Sequence, residues 1–445
     1  MRILVLGGGF GGVHAAIHLE RHFTADPDVE ITLISRDNFF LFTPMLHEVA
    51  ASDLDITHIV SPLRTILRRT TVYIGEVEGV DLGRREVTVA HGFERHRHVL
   101  PYDHVVFALG SITNFYGLPG LERHALTMKT LGDAIHLRNR VIATLEEADP
   151  ECAAQGSGLL TFVIAGGGFA GVETAAGIND FVRDAIGFYP HIRADRVRMV
   201  LVHSGPLILP ELGGQLGAYA QQKLGARGVE IVTNAKVAGV DAMGVTLADG
   251  TRIAARLVVW TAGTSPHPLI HALPCGLDRG RIVVNDCLAV PGWPGVWALG
   301  DCAIVPDVRT GKTHPPTAQH ALREARTVAD NIAAVVRGGQ PRAFSFRTIG
   351  QLAAIGRRTG VARIFGVNFS GFVAWWLWRT IYLGKLPRLE KKIRVAIDWT
   401  LDLIFSKDFV QFLTVRAPAM SMSVSDAQAA VESTPGTPEL IEVRR

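Results

Sequence analysis

At 445 residues and a formal net charge of +3, the chain is long enough for two or three domains with ample cores, and its charge carries no nucleic-acid signal. Four scattered cysteines, Cys152, Cys275, Cys287 and Cys302, form no C-x-x-C, which argues against a disulfide framework or a structural zinc and for a reducing, cytosolic setting. No run of about 18 apolar residues exists, so no spanning helix is expected, and an apolar strand starting at Ile3 leaves no room for a secretory leader.

Ile3, Leu4, Val5 and Leu6 read as a strand buried on both faces. It runs into Gly7-Gly8-Gly9-Phe10-Gly11-Gly12 and then a helical pattern, so G-x-G-x-x-G falls at Gly7, Gly9 and Gly12 between strand and helix. Gly7 allows the tight turn, Gly9 and Gly11 leave the backbone bare toward a pyrophosphate, and Gly12 lets helix pack on strand. The next strand, residues 30–34, ends in Ser35, Arg36 and Asp37. An acid is expected there for the adenosine ribose. Ser35 offers a hydroxyl instead, and Arg36 can cover the adenine or a phosphate.

Residues 38–51 read as a hydrophobic loop, because Thr43-Pro44 interrupts any helix; it either closes the core or lines a bound ring or an apolar substrate channel. His47 and Glu48 are its ionisable groups, and a lone histidine in such a place is more often structural than catalytic. Residues 72–89 read as short strands with a turn at Gly83, and the His/Arg run at 91–98 as a solvated hairpin without metal spacing; no metal site is expected anywhere. A buried strand at 103–110 ends in Gly110, a helix covers 130–147, and a polar linker, residues 148–158, leads onward.

The motif then recurs. Residues 159–165 form a second buried strand, and Gly166, Gly168 and Gly171 repeat the spacing 159 residues after Gly7. Two copies in the same strand–turn–helix context point to two bound dinucleotides, one nucleotide-binding unit being inserted in another. The strand at 198–202 ends in His203 where a carboxylate would mark an NADH site. Without that carboxylate a 2′-phosphate is not repelled, so NADPH stays open beside NADH. Glu173, in the first turn of the second helix, is either a dipole partner or a carboxylate beside the reacting rings. Residues 257–263 mirror 103–110 and close in Gly263, and residues 295–301 end in Gly300-Asp301, a carboxylate able to accept sugar hydroxyls. Pro315-Pro316 and the N-cap Thr317 open a helix whose first turn holds Ala318, Gln319 and His320.

Past Phe344 the chain changes character. Trp375, Trp376 and Trp378 precede Lys385, Arg388, Lys391, Lys392 and Arg394, and a helix then sets Leu389, Ile393, Ile397, Leu401 and Ile404 on one face. Tryptophans and cations beside an apolar stripe suit a helix lying in a membrane interface, with dimerisation or core packing as the competing reading. Residues 417–445 read as a disordered tail.

Taken in order, the two glycine motifs, FLFTPML at 40–46, ALGSITNFYGLPG at 108–120, ALGD at 298–301, PPTAQHA at 315–321, IGRRTGVA at 355–362 and SGFVAWWLWRTIYL at 370–383 resemble the type II NADH dehydrogenases, single-chain NADH:quinone oxidoreductases, over residues 1–415. The resemblance implies an α/β chain of two Rossmann-like dinucleotide-binding domains, for FAD and NAD(P)H, plus a C-terminal helical membrane-association region. It implies FAD on residues 1–115 and 267–345, NAD(P)H on 116–266, anchoring or dimerisation through 346–415, and a tail at 416–445. Catalytic roles fall on Glu173 and Gln319. Cofactor contacts fall on Gly7, Gly9, Gly11, Gly12, Ser35, Arg36, Gly110, Gly166, Gly168, Gly171, Glu173, His203, Gly263, Gly300, Asp301, Ala318 and Gln319. The implied partners are a membrane quinone and the membrane surface on the cytoplasmic inner face, with a homodimer open and no nucleic acid. The implied reaction passes a hydride from NADH to FAD and two electrons to quinone without proton pumping. Three positions depart from the family: Ser35 and His203 replace acids, and Ile349 replaces a polar residue. Sulfide:quinone oxidoreductase, another NAD(P)H-dependent flavin reductase and a non-enzymatic redox sensor are the rivals. The first would need a cysteine pair flanking the flavin, which the four scattered cysteines do not supply.

Overall fold

The computed structural model describes residues 1–150 and 158–412. Residues 151–157 of the linker, Cys152 within them, and the tail at 417–445 lie outside the described residues. Everything below concerns the compact unit Met1–Phe409.

In chain order the elements that place the site are β1 (Arg2–Leu6), α1 (Phe10–His22), β2 (Glu30–Ser35), α2 (Leu46–Ala50), β3 (Thr71–Ile74), β4 (His104–Phe107), β5 (Leu126–Thr127), α3 (Leu131–Ala148), β6 (Thr161–Ala165), α4 (Phe169–Ala185), β7 (Arg198–Val202), β8 (Val229–Val232), β9 (Leu257–Trp260), β10 (Val296–Ala298), α5 (Ala318–Val336), β11 (Gly350–Ala354), β12 (Gly360–Ile364), β13 (Val367–Ser370), α6 (Gly371–Lys385) and α7 (Leu389–Leu401). Two five-stranded parallel sheets, β10-β4-β1-β2-β3 and β5-β9-β6-β7-β8, share the order of their last four strands and differ in the outer one, the latest of its unit in the first sheet and the earliest in the second. In each, the glycine-bearing strand has the next strand of the chain on one side and a much later one on the other, the switch point at which such sheets open a crevice beyond their strand ends. The central strands are apolar and buried, as parallel sheets covered on both faces require. An antiparallel ladder of Ser111–Thr113 with Thr264–Pro266 joins the chain's exit from the first sheet to its exit from the second.

A third, antiparallel sheet, β11-β12-β13, is followed by α6 and α7. Two local expectations are corrected. Residues 38–51 are not an irregular loop: Phe39–Leu41 is a short strand, and Pro44 sits in a 3₁₀ turn that leads into helix α2. Proline is tolerated at a helix start, where its missing N–H would be unpaired anyway. The tryptophan cluster does not act as one surface either. Trp376 is exposed, but Trp378 is fully buried and points into the molecule. The stripe of Leu389, Ile393, Ile397, Leu401 and Ile404 is exposed along its length, which argues against core packing within this chain. Among the described residues no helix is long and apolar enough to cross a membrane.

Candidate active site

The two glycine turns have the same geometry. Gly7 and Gly166 hold φ of +113° and +125°, which disfavours any residue with a side chain. A Cβ on Gly12 would lie 1.8 Å from the Gly7 carbonyl oxygen, and one on Gly171 1.8 Å from that of Gly166. Beside Gly9 and Gly168 there is nothing within 4 Å. α1 and α4 begin there with no side-chain cap, so their first N–H groups face open space and a pyrophosphate fits each cradle. The residue ending the second strand stands against each turn. Ser35 Oγ would be 2.3 Å from a Cβ on Gly8, and His203 Nδ1 accepts the Gly167 N–H at 3.1 Å, which leaves the ring proton on Nε2. Arg36 is exposed beside Ser35.

Within Met1–Phe409, a cavity of 590 Å³ opens between the first glycine turn and the starts of α4 and α5. Of the residues singled out in the sequence, it gathers Gly9, Gly11, Gly110, Glu173, Gly300, Asp301, Ala318 and Gln319. Gly7, Gly12, Gly166 and Gly171 shape the turns behind it, while Ser35, Arg36, Gly168, His203 and Gly263 are off its wall. Gly263, at φ +88°, is covered by Tyr116, whose hydroxyl would meet a Cβ there at 2.2 Å.

Asp301 Oδ2 accepts a hydrogen bond from Ser111 Oγ at 2.7 Å, and Lys129 Nζ donates to that hydroxyl at 2.6 Å. Burial lowers the Lys129 pKa, against the pull of Asp301. The Gly300 N–H donates to Glu324 at 2.7 Å, and burial pushes that carboxyl up to about 7. Gln319 bridges α5 to β11: its Nε2 donates to the Gly350 carbonyl at 3.2 Å and its Oε1 accepts from the Ile349 N–H at 3.4 Å. Thr317 stands at the N-cap but does not cap through its side chain, because its Oγ1 meets His320 Nδ1 at 2.7 Å.

Glu173 is the most constrained group. Its Oε1 accepts from the Ala354 N–H and the Trp378 Nε1–H, both at 3.0 Å, and its Oε2 lies 3.7 Å from His47 Nδ1. Burial pushes its pKa up to about 8, outweighing both hydrogen bonds, and burial drives His47 down to about 3. At neutral pH their contact therefore joins two neutral groups. With Oε1 occupied by two donors, the acid proton sits on Oε2. Ser111, Lys129, His47 and the half-buried Tyr382 on the cavity wall, and Trp378 behind Glu173, were not singled out for the site from sequence. Each reaches it across a long stretch of chain that local patterns do not register.

The pyridine nucleotide-disulphide oxidoreductase family model matches residues 1–325, and an NDH2 C-terminal domain model matches 349–408. The type II NADH:quinone oxidoreductase Ndh of Mycobacterium tuberculosis is 34% identical over 460 residues, covering 97% of this chain and 96% of that one. The demethylphylloquinone reductase NdbB of a Synechocystis species is 32% identical over 409 residues, 89% and 95% of the two chains. Among solved structures, NDH2 from Plasmodium falciparum in complex with NADH has the same fold, with a TM-score of 0.84 at 20% identity, covering 92% of this chain and 99% of that one.

Proposed function

The chain belongs to the type II NADH:quinone oxidoreductases, non-pumping enzymes of the pyridine nucleotide-disulphide oxidoreductase family, and from that membership we propose how its residues divide the reaction. FAD and NADH are its cofactors and a quinone is its oxidant. FAD, when bound, supplies the two-electron relay between hydride donor and quinone.

The observation that carries the assignment is a single cavity with three walls: Gly9 and Gly11 of the first turn, Glu173 at the start of α4, and Ala318 and Gln319 at the start of α5. The first turn and residues 1–115 with 267–345 hold FAD, Asp301 and Gly300 receive its sugar chain, and Gly110 borders it. Residues 116–266 hold NADH, with His203 Nε2–H offered to the adenosine ribose and Gly263 bordering the nicotinamide side. The free N–H groups opening α5 favour negative charge beside them. Gln319, tied to β11, offers its amide to a quinone carbonyl. Glu173 is a neutral acid, holding its proton on Oε2.

The exposed apolar stripe of α7, with Lys392 and Arg394 beside it, supports resting on the inner face of a membrane, through residues 346–415, where a quinone would enter. The same stripe could serve a homodimer, which sedimentation in detergent tests. Among the described cysteines, burial pushes the Cys302 thiol up to about 12, and it donates to backbone carbonyls of Phe107 and Leu299. That is not the reactive thiolate a sulfide oxidant needs.

The test is steady-state oxidation of NADH by a soluble quinone in the FAD-loaded protein, with NADPH in parallel. Turnover with NADH is expected. Turnover with NADPH alone would overturn the nucleotide assignment, and none with either would overturn the quinone assignment.

A further inference from the structure

The two nucleotide units differ at the turn beside each glycine motif. In each sheet the strand next to the glycine-bearing one runs on, three residues past its end, to a glycine: Gly110 after β4 and Gly263 after β9. Both hold positive φ, +68° and +88°. A dinucleotide lies in the crevice beyond the strand ends at the switch point, so it passes over this turn as well as over the glycine motif. Gly110 leaves room for that, because it lines the large cavity and nothing stands within 4 Å of where its Cβ would be. Gly263 does not. The Tyr116 hydroxyl oxygen and two of its ring carbons stand 2.2, 2.4 and 2.6 Å from the corresponding position.

The backbone that carries Tyr116 is tied to this turn through Asn114. The Asn114 N–H donates to the Gly263 carbonyl at 3.2 Å, and its own carbonyl accepts the Trp260 Nε1–H at 2.9 Å. Its Oδ1 accepts the Tyr116 N–H at 2.7 Å. Tyr116 itself holds φ +52°, a left-handed conformation that residues other than Gly, Asn and Asp seldom adopt. Strain of this kind gathers at ligand clamps, where the surroundings enforce it. Trp260 meets the Tyr116 ring edge-on, with centroids 6.4 Å apart at 77°. Yet Tyr116 is 61% exposed, and its hydroxyl makes no hydrogen bond to any described residue. The ring is an apolar wall with a free polar end.

We propose that Tyr116 is a substrate-binding residue of the NADH site, its ring forming a wall for the nicotinamide half of the dinucleotide and its hydroxyl hydrogen-bonding that half. The proposal rests on the reading above that gives NADH to the second unit and sets Gly263 on its nicotinamide side. The competing role is structural, a cap that closes the Gly263 turn where residues 111–120 carry the chain from one unit to the next. Two observations favour the ligand. A structural cap would bury the ring and pair the hydroxyl, and neither holds. The matching turn at Gly110 stands without a cap. Tyr116 should act on NADH and NADPH alike, because the 2′-phosphate lies at the other end of the dinucleotide, toward His203.

Two variants of the FAD-loaded enzyme separate the ring from the hydroxyl. Tyr116→Asn removes the ring and suits the left-handed backbone, so it should melt no lower than the parent. Tyr116→Phe removes the hydroxyl alone and decides the question if Tyr116→Asn does not fold. Calorimetric titration with NAD⁺ should give a Kd raised about tenfold in Tyr116→Asn and about threefold in Tyr116→Phe. Stopped-flow bleaching of the flavin without quinone should need correspondingly more NADH for half-saturation, with the limiting rate within about twofold of the parent's. Flavin retention and the KM for quinone should not move. An unchanged Kd in both variants would overturn the proposal. So would tighter binding in Tyr116→Asn, which would make the ring an obstruction, or a lower melting temperature with an unchanged Kd, which would make it a structural cap. If NADH fails to bleach the unmodified enzyme, the functional reading itself has failed, which is a separate result.

Discussion

The two nucleotide units share a strand order, a glycine turn and the same 1.8 Å clearance that a side chain would violate, yet corresponding positions carry different chemistry. Two residues after the last glycine, the first unit has His14 and the second Glu173. His14 folds back on its own helix, with Nδ1 3.0 Å from the Phe10 carbonyl oxygen. Glu173 reaches outward to Trp378 and Ala354, in elements that follow both units. The second-strand ends differ likewise, Ser35 against His203. The backbone of the motif sets where phosphates can lie, and the side chains hung on it set what each unit does next.

Breaking the turns separates the units most sharply. Gly12→Ala should abolish flavin retention, because the Cβ meets a backbone carbonyl that cannot move without opening β1 from α1, at a cost of about 3 kcal/mol or more. Gly171→Ala should spare the flavin and abolish saturation by NADH. Bound flavin after desalting and NADH titration distinguish the two outcomes. Loss of flavin from Gly171→Ala alone would reverse the assignment. Next in size, Glu173→Gln should lower quinone turnover about a hundredfold, whereas His14→Gln should change it less than about threefold. Parallel steady-state assays compare them.

This asymmetry also explains what was legible in the chain. Gly7, Gly9 and Gly12 and their repeat are a local code, because turn, cradle and helix start all fall within six residues, and the two sheets follow from the apolar runs around them. Asp301 and Gln319 were legible through short motifs at strand and helix ends. His47 was not. It reads as a lone histidine in an apolar stretch, and only the folding of α2 against α4 brings it to Glu173. Trp378 was misread for a physical reason. Three tryptophans in four residues of a helix cannot all share one face, and composition alone does not say which turns inward. The Ser111–Lys129–Asp301 chain joins residues as much as 190 positions apart and leaves no periodic trace.

A smaller effect would sharpen the comparison of strand ends. His203→Asp places a carboxylate where it can bind two ribose hydroxyls and repel a 2′-phosphate. The ratio of kcat/KM for NADH over NADPH should rise roughly tenfold. Ser35→Asp, at the matching place in the first unit, should leave that ratio unchanged and alter only flavin retention. A shift of nucleotide preference by Ser35→Asp would mean that the first turn, not the second, receives the nicotinamide nucleotide.

The smallest effect concerns stability, and it separates the inner carboxyls from ordinary surface ones. Glu48 is raised from 4.5 to about 8 in the folded protein by burial. A carboxyl whose folded pKa lies above its unfolded value stabilises fully below the unfolded value and loses that contribution as pH rises through the folded one. Stability of the unmodified protein should therefore decline between about pH 4.5 and 8 on account of Glu48. Glu48→Gln removes this dependence, so the variant should gain on the parent as pH rises, by roughly 3 °C in Tm between the ends of that window. His47 acts in the opposite direction. Its pKa, lowered from 6.5 to about 3 by burial, leaves a contribution that is complete above 6.5 and lost as pH falls toward 3. His47→Gln should flatten the acid side of the profile and leave the alkaline side intact. Thermal melts of both variants across pH 4 to 9 would resolve the two limbs. A Glu48→Gln melt curve parallel to the parent's at every pH would mean that Glu48 is already ionised in the folded protein, and the neutral state that burial gives it would be wrong.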